Sequence, residues 1–219
     1  MGTTPSPAPT AELTARARLG HRGSQLLFRS LLDALAHPGL PTRLPDDVAP
    51  GLPPALVTVL ALADVDVPVA IIGDDRPSAR HDESAGGWAD VVRTATGAAA
   101  APLALAEMIV ALRPPTPAEV LALERGAPDA PERGARLFVA CSTLRPGRAG
   151  GPGVRVGIVG PGVPGTRSFA VVGVDAPALV AVADANRHYP AGIDTWLVAS
   201  DGHVVGIPRS SRLSIEAVG

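Results

Sequence analysis

Hydrophobic residues recur with the spacing of helices in some segments of the chain and of strands in others. In residues 24–37 they recur at helical spacing, which predicts an amphipathic helix with Ser24 as its N-cap and a proline-glycine stop. Further helices are predicted in three segments near a proline: residues 54–64, 116–125 and 177–189. Short apolar runs predict strands: residues 68–72, 135–144, 154–160 and 168–174. Residues 105–112 fit a strand or a short helix. This alternation indicates an α/β domain with helices on both faces of its sheet.

The C-terminal part of the chain predicts a hairpin that carries two opposite charges. Asp201-Gly202 is a dipeptide typical of two-residue turns, so the numbers of cross-strand partners are expected to sum to 403. In that register Asp194 faces Arg209. One face of the hairpin then carries Asp194, Trp196, Val198, Val205, Ile207 and Arg209. Both faces are largely apolar, so we expect the hairpin to lie between two layers.

The charged pair has two interpretations. A carboxylate in apolar surroundings needs a partner, because removing one member of a buried ion pair costs about 3–5 kcal/mol. Asp194 and Arg209 therefore fit a structural ion pair. They also fit a ligand site, since Arg209, Ser210 and free backbone amides at the strand end offer donors to a phosphate or phosphonate oxygen. Arg29 on the first predicted helix is a second candidate contact for an anion, although an arginine there is more often solvated surface.

Composition narrows the classes of function. The chain has 219 residues, with 19 basic residues that are all arginine and 21 acidic residues, giving a net charge of −2. Without a basic cluster, it lacks the electrostatic footprint of a nucleic-acid-binding protein. Because there is no lysine, Schiff-base catalysis, covalent pyridoxal phosphate and a Walker phosphate loop are excluded for this chain acting alone. Charged residues and prolines interrupt the apolar runs before they reach the length of a membrane span, and we expect a cytoplasmic protein.

Other notable segments favour structural roles. GPGVPG at residues 160–165 matches the dinucleotide fingerprint, but a strand pattern follows it, so we predict a hairpin loop. The histidines show no spacing typical of metal ligands, and residues 81–84 (HDES) are expected to form a solvated loop rather than a metal site. Cys141 is predicted to be a small buried strand residue and not a nucleophile. Residues 1–20 predict a disordered or loosely held tail, and residues 21–219 a single domain.

Several segments form a specific combination by their order and character. They are FRSLLDALAHPG (28–39), LADVDVPVAI (62–71), GARLFVACSTL (134–144), GPGV (160–163), YPAGIDTWLV (189–198) and GIPRSSRL (206–213). Over residues 25–215 the chain thereby resembles the PhnH family, the H subunit of the carbon–phosphorus lyase core complex. The family's motif positions fall on Pro38, Gly39, Asp64, Pro190, Gly192, Asp194, Pro208 and Arg209. Two features depart from the family: Ser210 and Ser211 replace paired threonines, and residues 95–106 are alanine-rich.

The resemblance implies a fold, partners and a pathway. The implied fold is a three-layer α/β/α sandwich with a mixed sheet, related to pyridoxal-phosphate-dependent transferases but without the cofactor. The implied partners are the PhnG, PhnI and PhnJ subunits, whose complex converts alkylphosphonates and ATP into a ribose 1-alkylphosphonate 5-triphosphate. The resemblance assigns no catalytic residue to this chain. We therefore expect an accessory subunit, or alternatively a subunit with its own phosphonate- or nucleotide-binding site near Asp194 and Arg209. An exposed docking patch is also expected to make the isolated chain a homodimer.

Overall fold

The computed structural model describes residues 10–73, 87–147 and 151–218, which contain a six-stranded mixed sheet and a four-stranded antiparallel sheet. The helices are α1 (Thr10–Ala17), α2 (His21–Ala36), α3 (Pro54–Leu62), α4 (Trp88–Thr96), α5 (Pro117–Leu121) and α6 (Ala176–Ala185). The strands are β1 (Thr42–Arg43), β2 (Val69–Ile72), β3 (Met108–Ala111), β4 (Arg136–Cys141), β5 (Thr143–Pro146), β6 (Gly153–Val159), β7 (Arg167–Val172), β8 (Asp194–Ala199), β9 (His203–Ile207) and β10 (Arg212–Val218). Short 3₁₀ helices occupy Leu103–Leu105 and Pro131–Arg133.

The larger sheet has the strand order β1-β9-β8-β4-β3-β2. Strands β2, β3, β4 and β8 are parallel, and β9 and β1 continue the sheet as antiparallel neighbours at one side. Parallel strands are covered on both faces, which explains their nearly continuous apolar sequence. The smaller sheet has the order β10-β6-β7-β5 and is antiparallel throughout.

Two hydrophobic cores lie on opposite faces of the larger sheet. On one face, Phe138 and Trp196 pack with buried residues of α2, α3 and α4. On the other face, Leu137 and Leu197 pack with α5, α6 and the smaller sheet, represented by Phe169. The predicted mixed α/β architecture with helices on both faces is thus confirmed. The smaller sheet is an additional part of the second layer, which the α/β/α prediction did not include.

The predicted strand at residues 135–144 is divided between the two sheets. Strand β4 ends at Cys141 and pairs with β3 and β8, whereas β5 begins at Thr143 and pairs with β7. Ser142 lies between them, and its N–H donates to the carbonyl of Val172 at 2.7 Å. The apolar pattern does not show this break, because both halves contribute buried side chains to the same core.

The two-residue turn predicted for the C-terminal hairpin is wrong. Strands β8 and β9 pair Thr195 with Ile207 and Trp196 with Gly206, so partner numbers sum to 402 and the turn has one more residue. Gly202 adopts φ +85° there, which suits glycine. A shift of one residue moves every side chain of one strand to the other face. Trp196 and Val198 consequently share a core with Val204, whereas Val205 and Ile207 lie in the opposite core.

Several helix boundaries also differ from the predictions. Helix α2 begins at His21 with Gly20 as its N-cap, so Ser24 is not the cap. Helix α5 has the predicted Thr116 cap but ends at Leu121, and residues 108–111 of the ambiguous segment form a strand. Helix α1 packs against α4 within the segment assigned to a tail, and Ala17 is buried. Among the described residues, none of the helices combines the length and apolarity that crossing a membrane requires.

Candidate functional site

Asp194 and Arg209 form a partly buried ion pair where β8 begins and just beyond the end of β9. One carboxylate oxygen of Asp194 (Oδ1) accepts the backbone N–H of Arg209 at 2.9 Å. The other (Oδ2) accepts Nε at 3.1 Å and Nη2 at 2.7 Å. The side chains of Arg209 and Asp194 are 14% and 21% exposed. The predicted pairing is therefore present although the predicted register is wrong, because the long arginine side chain and its backbone amide reach the carboxylate together.

Arg209 also connects the hairpin to the segment that precedes β4. Its Nη1 donates to the carbonyl of Pro131, and its Nη2 lies 3.4 Å from the carbonyl oxygen of Gly134. A guanidinium has five N–H donors, and these side-chain contacts engage all but one of them. The arginine therefore links two chain segments to Asp194, as expected of a structural ion pair.

Two glycines give the guanidinium the space to reach these carbonyls. A Cβ at Gly134 would overlap the carbonyl oxygen of Gly192 and lie 2.5 Å from Nη1 of Arg209. Gly192 adopts φ +154°, and a Cβ there would lie 2.6 Å from Oδ1 of Asn186 and 3.0 Å from Cβ of Arg209. That same Asn186 oxygen accepts the N–H of Ile193 at 2.7 Å. Gly192 thus lets the chain pass between Asn186 and Arg209 before β8 begins.

A shallow groove of about 350 Å³ lies beside this ion pair. It is lined by Pro131, Glu132, Tyr189, Pro190, Asp194, Pro208, Arg209 and Ser210. Tyr189 is 66% exposed and is the one aromatic residue in this lining. The structure therefore brings together the predicted candidates Asp194, Arg209 and Ser210, and adds Glu132 and Tyr189, which the sequence reasoning did not include. Tyr189 directly precedes Pro190 of the quoted motif, which is the sequence signal that was available for it.

Two other residues of interest lie elsewhere. Arg29 is exposed on α2 and is not part of the groove lining. Ser211 is buried, and it lies beside Gly160 of the loop between β6 and β7, where a glycine Cβ would come within 3.2 Å of its Cα. Arg29 and Ser211 are therefore not among the residues that line the groove beside Arg209.

Pro38 and Gly39, which follow α2, pack against the smaller sheet. The carbonyl of Pro38 accepts Nη1 of Arg167 at 2.5 Å, and a Cβ on Gly39 would lie 2.5 Å from Cγ2 of Ile158. Gly162 follows β6 and packs as closely against the end of α2, since its Cβ would lie 2.7 Å from the carbonyl oxygen of Ala36. This loop leads into β7, which is antiparallel to β6, so the predicted hairpin loop is confirmed. Asp64 accepts the backbone N–H of Asp66 at 3.0 Å in an exposed turn.

The other residues that could carry chemistry are Cys141, the potential metal-ligating side chains and Asp201. Cys141 is buried, and desolvation raises its pKa to about 12, so the predicted buried strand residue is confirmed. No group of three or more potential metal-ligating side chains occurs within the described part of the chain, and the HDES segment at residues 81–84 lies outside it. Near the carboxyl end of β8, burial raises the pKa of Asp201, but hydrogen bonds from His203 outweigh burial and lower it overall.

Sequence comparison agrees with the motifs that meet in this structure. Residues 19–214 match the family model described as bacterial phosphonate metabolism protein (PhnH). The chain belongs to the PhnH family. No curated protein matches it. The matched range includes α2, the loop between β6 and β7 and the whole Asp194–Arg209 region, so the PhnH match covers all the motif segments between residues 28 and 213. PhnH membership connects the chain to bacterial phosphonate metabolism.

Proposed function

We propose that this chain is an accessory, non-catalytic subunit of the carbon–phosphorus lyase core complex, which acts in organic phosphonate catabolism as α-D-ribose 1-methylphosphonate 5-triphosphate synthase. Its partners in this proposal are PhnG, PhnI and PhnJ. Family membership over residues 19–214 is the observation that carries the proposal. The proposal also includes a cytoplasmic location and a fold related to pyridoxal-phosphate-dependent transferases. The lack of lysine supports a cofactor-free version of that fold, because covalent attachment of the cofactor needs an amine.

The contacts of the motif residues support an accessory role. Gly39 and Gly162 permit close packing, and Asp194 and Arg209 form hydrogen bonds within the chain. Since their bonding capacity is largely used internally, these residues shape the subunit. A subunit that acts through its shape contributes to a complex by contact with other subunits.

The test is reconstitution of the complex with and without this chain. The chain is co-expressed with PhnG, PhnI and PhnJ, one partner carries an affinity tag, and the eluate is examined for stoichiometric recovery. We expect co-elution and a loss of transferase activity when the chain is omitted. Failure to co-elute together with unchanged activity on omission would contradict the accessory role.

The second candidate function is a phosphonate- or nucleotide-binding site in the groove next to Arg209. The observation in its favour is the position of Tyr189, Ser210 and the remaining guanidinium N–H beside a cavity of about 350 Å³. Against it, Asp194 already neutralises Arg209, and Glu132 adds a carboxylate to the lining that repels an anion.

Variants that leave the ion pair intact separate the two functions. Ser210→Ala and Tyr189→Ala alter the groove without removing Asp194 or Arg209. Titration calorimetry with methylphosphonate and with ATP measures binding to the isolated chain. The accessory role predicts no saturable heat for either ligand. Saturable binding that Ser210→Ala and Tyr189→Ala both weaken would instead establish a ligand site.

The isolated chain is also expected to be a homodimer. Large apolar side chains remain exposed on its surface, for example Phe28 and Leu32 on α2, and Leu121 on α5. An apolar surface of this kind favours association when the other subunits are absent. Light scattering over a concentration series tests this expectation, and a monomer at every concentration would contradict it.

A further inference from the structure

The groove of about 350 Å³ beside the Asp194–Arg209 ion pair lacks backbone donors along much of its wall. Its wall comes from three segments: the 3₁₀ helix Pro131–Arg133, the loop after α6 and the turn after β9. Three residues of the lining, Pro131, Pro190 and Pro208, are prolines and have no backbone N–H. A strand that adds to a surface by backbone pairing needs such donors. The groove is therefore suited to a side chain and not to an added strand.

The groove carries one carboxylate that has no partner in the lining. Asp194 is paired with Arg209 at 2.7 Å, so these two charges offset each other. Glu132 is exposed, and within the part of the chain that the structure describes no hydrogen bond or ion pair engages its carboxylate. The neighbouring Arg133 is exposed but does not line the groove. The lining therefore has a net negative charge, which favours a cation over an anion.

Tyr189 adds an open aromatic surface to this carboxylate. Its side chain is 66% exposed, so most of its surface is free for contact with another molecule. The face of an aromatic ring attracts cations. A guanidinium stacks flat on such a ring and donates two parallel hydrogen bonds to a carboxylate, which the compact ammonium of lysine does not do. Tyr189 and Glu132 together therefore match an arginine side chain better than a lysine side chain.

Contacts beneath the groove hold both of these residues in place. Nη1 of Arg209 donates to the carbonyl of Pro131, which directly precedes Glu132. The N–H of Gly192, three residues beyond the tyrosine, donates to the carbonyl of Arg125 at 2.7 Å. A surface that is already ordered loses little conformational freedom when a partner binds to it. The ion pair beneath the groove thus supports a binding surface in addition to joining chain segments.

From this arrangement we propose that the groove receives an arginine side chain of a partner subunit. The guanidinium stacks on Tyr189 and forms charge-assisted hydrogen bonds with Glu132, and its alkyl part packs on the proline rings. Tyrosine and arginine are among the residues that contribute most to the stability of protein interfaces. This use of the groove rests on the accessory role proposed above, and it gives that role a surface and a chemical group.

Binding to an assembly of PhnG, PhnI and PhnJ tests the groove. The assembly is immobilised and titrated with the chain in biolayer interferometry. We expect Glu132→Arg and Tyr189→Ala each to raise the dissociation constant about tenfold or more. Tyr189→Phe keeps the ring and is expected to change it less than about threefold. Both residues are exposed, so the variants are expected to keep the melting temperature of the original chain.

The matched control for the charge reversal is Asp47→Arg. Asp47 is exposed and lies outside the groove lining, and its substitution changes the net charge by the same amount as Glu132→Arg. We expect Asp47→Arg to bind the assembly like the original chain. A loss of binding in Glu132→Arg alone is then an effect of the groove and not of the total charge.

Small probes test the chemistry of the occupant on the isolated chain. N-acetylarginine amide carries a guanidinium, and N-acetylcitrulline amide carries a neutral urea of nearly the same shape. The amide resonances of Glu132 and Ser210 are followed by nuclear magnetic resonance during titration with each probe. We expect saturable shifts with the arginine probe and a dissociation constant on the order of 1 mM or weaker, because one side chain makes few contacts. No saturable shift is expected with the citrulline probe, or with the arginine probe added to Glu132→Gln.

The outcomes separate this proposal from the accessory role. If the original chain does not bind the assembly, the accessory role is contradicted, and the proposed use of the groove is overturned with it. If the original chain binds and both Glu132→Arg and Tyr189→Ala bind equally well, only the use of the groove is overturned. Equal shifts with the arginine and citrulline probes, or no shift with the arginine probe, also overturn it, because the groove then does not select a cation.

Discussion

The carboxylate of Asp194 accepts three hydrogen bonds from one residue, Arg209. They come from the backbone N–H, from Nε and from Nη2, at 2.9, 3.1 and 2.7 Å. The guanidinium also reaches the carbonyls of Pro131 and Gly134. A single ion pair thus joins the start of β8, the end of β9 and the approach to β4, and its loss affects three chain segments together.

Removing either charge of this pair is expected to destabilise the fold. Arg209→Ala leaves the carboxylate of Asp194 partly buried without its partner, and we expect a loss of about 2 kcal/mol in the free energy of unfolding. The expected loss is smaller than the cost of breaking a fully buried ion pair, about 3–5 kcal/mol, because both side chains remain partly exposed. Urea denaturation measures the loss. In a double-mutant cycle, adding Asp194→Ala to Arg209→Ala should cost little more than one substitution.

The matched control for this cycle is the exposed ion pair of Arg187 with Asp184. Arg187→Ala is expected to change the free energy of unfolding by no more than about 0.5 kcal/mol, because exposed ion pairs contribute little. Equal effects of Arg187→Ala and Arg209→Ala would show that Arg209 is not a structural residue.

The approach to Arg209 depends on glycine at position 134. Gly134 has φ −62° and ψ 135°, which alanine adopts freely, so a substitution there acts through space alone. Because its Cβ would lie 2.5 Å from Nη1 of Arg209 and overlap the carbonyl of Gly192, we expect Gly134→Ala to lower the urea midpoint clearly. Gly20→Ala is the control for the added methyl group, since it also has extended backbone and no atom within 4 Å of the added Cβ. Because Gly20 is the N-cap of α2, this control is expected to lower the midpoint slightly, but less than Gly134→Ala does. Similar midpoints for both variants would contradict this explanation.

Helix α2 is expected to depend on the small size of Gly206 in β9. A Cβ there would overlap the carbonyl of Ala34 and lie 2.8 Å from the backbone nitrogen of Leu35. Both are helix backbone atoms, so Gly206→Ala forces α2 away from the sheet and stretches the 3.0 Å hydrogen bond from Nε1 of Trp196 to the carbonyl of Leu31. We expect a lower melting temperature and a red shift of tryptophan fluorescence. Trp88, on α4, is the second tryptophan of the chain. The fluorescence is therefore measured in a Trp88→Phe background, where it comes from Trp196 alone.

The sequence predicts elements well where one physical signal determines them. The prolines and the Thr116 capping box mark the beginnings of helices, and the apolar runs mark β2 and β4. The hairpin register depends on the length of one turn, and Asp201-Gly202 allows a turn of either length. Because a strand alternates with period two, that single residue exchanges the two faces of β9.

The candidate site was predictable in its central pair but not in its surroundings. The expected two-residue turn placed Asp194 opposite Arg209, and a carboxylate in apolar surroundings needs a partner. The pair forms although the register is wrong. Glu132 and Tyr189 come from other segments, and only the tertiary fold brings them beside Arg209. Likewise, no local pattern shows that the chain leaves one sheet at Ser142 and enters the other.

Lowering the pH is expected to weaken the N-terminal cap of α5, to which the carboxylate of Glu119 contributes. Hydrogen bonds from Arg113, at 2.6 and 3.0 Å, lower the pKa of Glu119 to about 2. A carboxylate whose pKa is lower in the folded state contributes stability above its unfolded pKa, near 4.3, and loses it as the pH falls toward 2. Glu119→Gln is therefore expected to be less stable than the original chain at pH 7 and to approach it near pH 2.5. Thermal unfolding between pH 7 and 2.5 measures this convergence.

The control for this pH dependence is Glu107→Gln. The carboxylate of Glu107 is about half exposed and lies 3.8 Å from Arg136, so its contribution is expected to be small at every pH. A constant difference between Glu119→Gln and the original chain from pH 7 to 2.5 would contradict the assignment to ionised Glu119.

Cys141 is expected to report on opening of the central sheet. Its side chain is buried in β4, desolvation raises its pKa to about 12, and the chain has no other cysteine. The thiolate is the reactive form, so labelling by a thiol reagent at pH 8 requires the sheet to open first. We expect slow labelling in buffer that accelerates with urea, and Arg209→Ala is expected to speed it because that variant loosens the start of β8, which neighbours β4. A Gln25→Cys variant, whose added thiol lies on the exposed surface of α2, gives the labelling rate of an exposed thiol on the same chain. Labelling of Cys141 at that rate without urea would show that the strand is accessible in the native protein.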